Sequence, residues 1–200
     1  MTEKRKRMLW LADNDEKSIA RGVAKGDKRA MRALYALVAG SMSSACRRYI
    51  TQDDDAQDVV QDAFLSIITH IGDFVYQGKG SLRAWATRIA VNQALNFLKR
   101  QQQQPLLLNE ELLGDLADDD SPPDLYAMDA DRLHALIRSL PDGYRTVFNL
   151  YAIEGKSHRE IAALLGIKEN TSASQYHRAK AMLARQIKQY LSQNSPSHEA

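Results

Sequence analysis

The sequence has little of what stabilises disulfide-rich, membrane-spanning or metal-binding proteins. Cys46 is the single cysteine among 200 residues, which excludes an intramolecular disulfide and a metal site built from several thiolates. No apolar run approaches the roughly 18 residues that a membrane-spanning helix needs, and the five histidines show no metal-ligand spacing. Glycine (10) and proline (5) are few and concentrate at apparent element boundaries. We therefore expect no metal or other cofactor, and a cytoplasmic location.

Charge is distributed unevenly along the chain. The net formal charge is only +2, yet residues 101–131 contain nine acids and no lysine or arginine. Residues 1–100 carry +6 and residues 132–200 carry +5. Opposite charge on different segments of one chain usually indicates different roles.

The acidic segment also lacks the apolar periodicity of a packed element, and it contains four consecutive glutamines and two adjacent prolines. We predict two small domains, at 14–100 and 132–191, joined by an acidic flexible linker at 101–131. The linker is either a solubilising spacer, which the composition favours, or an acidic strand that mimics nucleic acid in a basic channel of a partner.

The first basic segment has helical periodicity and no alternating strand pattern. Apolar spacing predicts helices at about 15–25, at 28–50, from the acidic run at 53–55 onward, and from Ser81, acting as N-cap, to about Arg100. The residues expected in the core are Met31, Leu34, Tyr35, Val38, Val59, Val60, Ala63, Phe64, Ile67, Ile68, Leu82, Trp85, Ala86, Ile89, Ala90, Ala94 and Phe97.

Two polar helix faces in this segment are candidates for binding. On the third helix, Asp58, Gln61 and Asp62 are adjacent at helical spacing. They form either a solvated face or a docking surface for a basic partner.

On the fourth helix, a polar ridge is placed opposite Trp85 and Ile89, and it consists of Arg88, Asn92, Asn96 and Lys99. No acid lies between Asp73 and Glu110, whereas Lys79, Arg83, Arg88, Lys99 and Arg100 do. Positive charge beside amides suits phosphate contact and hydrogen bonding to unpaired bases. A merely basic helix would have the same pattern.

Residues 157–180 contain the pattern of two short helices joined by a sharp turn at Gly166. Ser157 and Glu160 have capping-box spacing, and Thr171 is available as N-cap of the second helix. Ile161, Ala162, Leu164, Leu165 and Ile167 supply the apolar face. The pattern matches a helix-turn-helix, whose second helix enters the major groove of DNA, although a helical hairpin without a nucleic-acid role would look similar.

Before this motif, apolar spacing predicts a core. Its expected members are Leu136, Leu140, Val147, Phe148 and Leu150, together with Leu164 in the motif itself. Asn149 and Lys156 are expected to hold the DNA backbone.

Together these segments resemble a bacterial sigma factor of the small extracytoplasmic-function type, in the sigma-70 family. Residues 22–38, 55–68 and 74–100 resemble the opening helices, the polymerase-docking helix and the promoter-melting segment of sigma region 2. Residues 133–187 look like sigma region 4, through the series LP–R–VF–L–EG–S–EIA–LGI–TS–S–RA. The resemblance implies a non-enzymatic subunit that binds core RNA polymerase and directs promoter-specific initiation by recognising −35 duplex and melted −10 DNA.

The resemblance also implies roles for single residues. Asp58, Gln61 and Asp62 match positions that bind the clamp coiled coil of the largest polymerase subunit, and the flap of the second-largest subunit is a further expected contact. The residues implied in −10 binding are Lys79, Arg83, Arg88, Asn92, Asn96 and Lys99, with Asn92 near a flipped-out base and the loop 72–80 as the specificity loop. The residues implied in −35 binding are Lys156, Thr171, Ser172, Ser174, Gln175, His177 and Arg178. Relatives often carry arginine where this chain has Ala173 and Gln175, so base preferences do not transfer.

Two other classes predict different features. A stand-alone helix-turn-helix regulator would bind DNA unaided, often as a dimer, and should lack both the Asp58/Gln61/Asp62 face and the segment 85–92. A nucleic-acid enzyme would need carboxylates that converge on a metal, and the sequential runs at 53–55 and 118–120 do not. An anti-sigma factor is a further partner that the resemblance allows and that the sequence leaves undecided.

Overall fold

The computed structural model describes residues 16–101 and 129–194, and the chain divides into two units after Leu98. The described residues form helices and turns and contain no strand, which confirms the all-α prediction. None of the described helices is long and apolar enough to cross a membrane. Most of the predicted linker and the N-terminal residues of the first predicted domain lie outside the described residues, and the predicted domain bounds stay a prediction.

From residue 16 onward, the described part of the first unit forms four helices with nearly the bounds that apolar spacing predicts. They are α1 (Glu16–Ala24), α2 (Lys28–Tyr49), α3 (Asp53–Thr69) and α4 (Ser81–Gln101), with a 3₁₀ turn at Ile71–Asp73 before α4. Asp27 caps α2 by accepting a hydrogen bond from the Arg29 amide at 2.8 Å. Three aspartates occupy the first turn of α3, where negative charge is favourable to the helix dipole.

The core of the first unit lies where α2, α3 and α4 bury residues three and four apart. The buried side chains include Leu34, Val38, Met42 and Tyr49 of α2, Val59, Ala63 and Ile67 of α3, and Leu82, Ala86, Ala90 and Ala94 of α4. Cys46 of α2 lies against α4, with its Sγ 3.8 Å from the Ala90 carbonyl oxygen. At Gly22 a Cβ atom would lie 2.5 Å from the Cβ of Ala30, so α1 approaches α2 this closely only because residue 22 is glycine.

The core prediction is wrong at Tyr35, which is 54% exposed. Tyr35 follows Leu34 by about 100° around the helix, so it leaves the buried line of Leu34 and Val38. Its ring packs edge-on against Phe64 at the surface, with the ring centroids 5.2 Å apart. Met31, Val60, Phe64, Ile68, Trp85, Ile89 and Phe97 are half-buried. Val91, Leu95 and Leu98 are buried without having been predicted.

Ser81 is not the N-cap of α4, because it is the first residue of the helix. Its hydroxyl accepts a hydrogen bond from the Gln77 amide at 3.2 Å. The amides at the start of α4 instead donate to the carboxylate of Glu16 in α1, from Gly80 at 2.9 Å and from Leu82 at 3.0 Å. The residue that caps α4 is therefore more than sixty positions away in the sequence. A capping motif, which involves only neighbouring residues, could not identify it.

The second unit contains α5 (Ala130–Arg138), α6 (Asp142–Phe148), a π-helical turn (Asn149–Ile153), α7 (His158–Leu165) and α8 (Glu169–Asn194). One hydrophobic cluster joins α5 and α6 to the long α8, and its buried members are Leu136, Ile137, Leu140, Tyr144, Ala179, Leu183 and Ile187. The predicted core residues Leu136, Leu140, Val147 and Leu150 are buried, whereas Phe148 and Leu164 are half-buried.

The junction between α5 and α6 is held by the buried guanidinium of Arg145. Its Nη1 donates to the carbonyl oxygens of Arg138 at 3.1 Å and Leu140 at 2.7 Å. Its Nη2 donates to Asp142 at 2.6 Å. Because a buried charge is tolerated only when it is paired and hydrogen-bonded, these contacts specify how the two helices meet.

Candidate nucleic-acid interface

The first helix of the helix-turn-helix, α7, begins and ends as predicted. Ser157 is its N-cap and forms a capping box with Glu160, whose carboxylate accepts a hydrogen bond from the Ser157 amide at 2.8 Å. This backbone hydrogen bond, followed by that of the Ser157 side chain, holds the pKa of Glu160 below its usual value. Gly166 ends α7 at a φ of 71°, in the left-handed region that glycine adopts without strain.

The second helix, α8, begins three residues earlier than it would with Thr171 as its N-cap. Glu169 is its first residue, and the Lys168 carbonyl accepts the hydrogen bond of the Ser172 amide at 3.1 Å. Thr171 therefore lies within the first turn of α8, and the prediction that it is the N-cap is wrong.

Three residues predicted to contact DNA are buried instead. Ser172 and Asn149 are fully buried, and Gln175 is 5% exposed. The Ser172 hydroxyl lies 3.0 Å from the Nδ1 atom of His158 in α7, so it joins the two helices of the motif. A side chain enclosed by its own domain cannot reach a DNA groove, and we correct the predicted roles of these three residues.

The exposed face of α8 contains two of the predicted DNA contacts. Ser174 and His177 are exposed, as is Ala173 beside them. Thr171 and Arg178 are half-buried at the edge of this face, and Lys156 is half-buried before α7. The Ser174 hydroxyl donates to the Asn170 carbonyl at 2.9 Å, which leaves its oxygen available as an acceptor.

Asn170 also lies on this exposed face, although it is not among the contacts predicted from the sequence. It precedes Ser174 by four residues and His177 by seven, which places all three on one side of a helix. This spacing could have identified Asn170 once α8 was known to begin at Glu169.

An aromatic cluster attaches the helix-turn-helix to the π-helical turn before it. The Tyr151 ring stacks on His158, with centroids 4.4 Å apart, and contacts Tyr176 of α8 at 4.3 Å. Burial, and to a smaller extent Tyr151, raise the pKa of Tyr176. Three successive elements thus meet at one set of rings, which fixes α8 relative to the preceding helix.

In the first unit, the predicted ridge on α4 is exposed along its whole length. Arg88, Asn92, Asn96 and Lys99 are all exposed. The prediction that this ridge lies opposite Trp85 and Ile89 is wrong. Asn92 follows Trp85 by seven residues, about two turns, so the two lie within about 20° around the helix axis.

Trp85 is half-buried and packs against Phe74 of the preceding loop, with ring centroids 5.6 Å apart. An aromatic side chain therefore lies on the same side of α4 as the two asparagines, about two turns before Asn92. Lys79 is exposed in the loop, and Arg83 is exposed in the first turn of α4. Arg83 precedes Asn92 by nine residues, about two and a half turns, so it lies on the other side of the helix and is not part of the ridge.

The acidic face of α3 is also exposed. Asp58, Gln61 and Asp62 all contact solvent, whereas Val59 and Ala63 beside them are buried. Asp53, which forms an ion pair with Arg47 at 3.5 Å, lies outside this face. Within residues 16–101 and 129–194, no cluster of histidine, cysteine, aspartate and glutamate side chains is arranged to hold a metal ion.

Comparisons with known proteins match both units to one family. Residues 34–104 match the model of Sigma-70 region 2, and residues 130–183 match that of Sigma-70, region 4. The chain is 28% identical to the ECF RNA polymerase sigma-E factor of Haemophilus influenzae, over 86% of this chain and 95% of that protein. It is 31% identical to the ECF RNA polymerase sigma factor SigE of Mycolicibacterium smegmatis, over 93% of this chain and 72% of that protein.

Among solved structures, the chain is similar to CnrH in complex with the cytosolic domain of CnrY. The identity is 26%, over 86% of this chain and 96% of that chain, with a TM-score of 0.45. The two family matches occur in the order region 2 then region 4, and the relatives are matched over most of their length. The chain belongs to the extracytoplasmic-function sigma factors of the sigma-70 family, which direct RNA polymerase to promoters.

Proposed function

We propose that three exposed surfaces divide the work of this sigma factor. The acidic face of α3 docks on the clamp coiled coil of core RNA polymerase. The ridge of α4 binds the melted −10 element, and the exposed face of α8 binds the −35 duplex. The flap of the second-largest polymerase subunit contacts the second unit, and an anti-sigma factor is a further partner. The protein acts in the cytoplasm, where the polymerase is, and performs no catalysis of its own.

The observation that carries the −10 assignment is the composition of the α4 ridge. Asn92 and Asn96 are exposed between Arg88 and Lys99, and the half-buried Trp85 lies on the same side of the helix about two turns before Asn92. Amide side chains can hydrogen-bond to the edge of an unpaired base, cations neutralise phosphates, and an indole offers a stacking surface. All three interactions of single-strand binding are available within about four helical turns.

Extrusion of a base from the duplex costs a few kcal/mol, and the contacts to the strand must offset that cost. The loop between Asp73 and Ser81 lies next to Trp85, because Phe74 packs on its ring. Lys79 in this loop is exposed, and it supplies a further positive charge for the backbone of the opened strand.

The −35 element is contacted by Lys156, Thr171, Ser174, His177 and Arg178, whereas the buried Ser172 and Gln175 make no contact with it. Ser174 and His177 face outward from α8 and are in position to reach base edges, whereas Arg178 and Lys156 are better placed for phosphates. Ala173 offers a methyl group, which suits apolar contact with a thymine methyl in the major groove.

A comparison of two variants tests the division between the −10 and −35 surfaces. Asn92→Ala should impair open-complex formation on duplex promoters while sparing core binding and −35 binding. Arg178→Ala should weaken the closed complex by about five- to a hundredfold and spare transcription from a pre-opened bubble template. Run-off transcription on duplex and bubble templates measures both. Arg185→Ala, an exposed position further along α8, is the control for lost charge.

Full recovery of Asn92→Ala on the bubble would assign Asn92 to strand opening and not to base reading. If both variants behave alike on both templates, the assignment of separate −10 and −35 surfaces is wrong.

A further inference from the structure

The carboxylate of Glu16 extends from α1 to the start of α4. It accepts hydrogen bonds from the Gly80 amide at 2.9 Å and from the Leu82 amide at 3.0 Å, one on each carboxylate oxygen. Glu16 is only 9% exposed, and a buried carboxylate is costly unless its hydrogen bonds are made. Its site at a helix N-terminus, where backbone N–H groups converge and the dipole is positive, offsets that cost.

The two bonded amides belong to the end of one particular loop. Residues 74–80 connect the 3₁₀ turn to α4 and contain Val75, which is 71% exposed, and the exposed Lys79. The φ angles of Gly78 and Gly80 are 112° and 93°. Glycines in this region allow many alternative conformations in a free loop, so one conformation persists only if other contacts select it.

Contacts at both ends of the loop help to select that conformation. At the first end, Phe74 packs on Trp85, beside the α4 ridge. At the second end, the Ser81 amide donates to the Gly78 carbonyl at 3.1 Å, and Glu16 holds the Gly80 and Leu82 amides. The hydrogen bonds to Glu16 are charge-assisted, because their acceptor is a carboxylate. Such a hydrogen bond is roughly twice as strong as one between two neutral groups.

We propose that Glu16 is a positioning residue for promoter DNA. By holding Gly80 and Leu82, it fixes the loop 74–80 against the first turn of α4, so that Lys79 and the α4 ridge are presented to the DNA together. The first helix thereby controls −10 binding without touching DNA. This inference rests on the proposed role of the α4 ridge.

Loss of the hydrogen bonds between Glu16 and the Gly80 and Leu82 amides lowers the fraction of molecules that have the loop in its binding conformation. The apparent affinity for a ligand falls by the same factor as that fraction. In Glu16→Gln the side chain keeps its size and one acceptor oxygen, but its NH₂ group faces a backbone N–H. We expect about a tenfold loss of affinity for a single-stranded −10 oligonucleotide. A loss of this size corresponds to the loss of about one hydrogen bond to a charged group.

The experiment uses the full chain and measures four quantities. The first is the affinity for core polymerase. The other three, measured on the complex with core polymerase, are the affinity for a single-stranded −10 oligonucleotide, the affinity for −35 duplex, and hydrogen exchange of the amides in residues 78–82. In Glu16→Gln the −10 affinity should fall and the amides should exchange faster, while −35 affinity and core binding stay unchanged. Glu16→Asp, which keeps the charge and shortens the reach, should show a smaller loss in the same direction.

Asp27→Asn is the matched control, because Asp27 caps α2 in the same unit without contacting the loop. It should leave −10 affinity unchanged. Faster exchange in Glu16→Gln with full −10 affinity would overturn the proposal, and so would an equal loss of −10 affinity, −35 affinity and core binding. Asn92→Ala, measured in parallel, separates the two hypotheses: a normal effect there with none in Glu16→Gln refutes only the role of Glu16.

Discussion

Cys46 shows, at the scale of one residue, how burial controls chemistry. The thiol is enclosed between α2 and α4, and its Sγ is near the Ala90 carbonyl. Burial raises the pKa of Cys46 to about 11, although the positive charge of Arg48 acts in the opposite direction. Since the thiolate is the reactive form, the lone cysteine is chemically inert in the folded protein and serves packing.

We expect Cys46 to resist iodoacetamide at pH 8 in the folded protein and to react when the chain unfolds. Ser44→Cys, at an exposed position of the same helix, provides the matched control and should be alkylated at once. Mass spectrometry after a timed pulse at increasing urea concentration measures both reactions. Rapid alkylation of Cys46 without denaturant would show that α2 and α4 separate readily in the native state.

The same scale explains why two neighbouring serines have different roles. Ser172 faces α7 and bonds His158, whereas Ser174, two residues later, faces solvent. Two residues correspond to about 200° around a helix. Which of the two is presented to DNA is therefore decided by the face of α8 that packs on α7.

At the scale of a helix, α3 combines a packing face and a docking face. Ala56, Val59, Ala63 and Ile67 point into the core, and Asp58, Gln61 and Asp62 point into solvent. The polar face contributes no packing, so its charge can be reversed without disturbing the fold. This separation makes α3 suited to a test of polymerase docking.

Reversing both charges, with Asp58→Lys and Asp62→Lys, should abolish binding to core polymerase and leave the circular dichroism spectrum unchanged. Like charges facing a basic partner repel and remove complementarity. Co-purification of the double variant with core enzyme is the measurement.

The control is Asp73→Lys with Asp131→Lys, which makes the same change of net charge at exposed positions outside α3. The control should bind core polymerase normally. If the Asp58/Asp62 variant co-purifies with core polymerase as well as the unmodified protein does, the docking assignment is wrong.

For the whole molecule, each of the two units has a hydrophobic core of its own. Buried side chains of α1, α2, α3 and α4 build the first core, and those of α5, α6 and α8 build the main cluster of the second. Because each unit buries apolar side chains of its own, each unit should fold alone and retain its own nucleic-acid preference.

Residues 132–200 in isolation should bind duplex DNA weakly, with log affinity falling by about 0.9 per phosphate contact for each tenfold rise in salt. Residues 1–100 in isolation should prefer single-stranded −10 DNA. Fluorescence anisotropy on duplex and single-stranded probes over a salt series measures both fragments. A first fragment that preferred duplex DNA would contradict its role in melting.

The sequence by itself determined the features that depend on neighbouring residues. Apolar spacing located the helices, and the Ser157–Glu160 pair with Gly166 marked both ends of α7. The exposed positions Asp58, Asn92 and His177 followed from helical periodicity. The motif series of the second unit, in order after that of the first, indicated the family.

Only the tertiary structure decided which polar side chains are enclosed and which distant groups meet. Ser172, Gln175 and Asn149 have polar side chains of the kind usually found at the surface, yet all three are buried, and Ser172 contacts His158 of α7. Glu16 caps α4 across a wide gap in sequence. Periodicity gives the direction of a side chain from its own helix axis, but not which neighbouring element lies there, because burial and long-range hydrogen bonds depend on packing between helices.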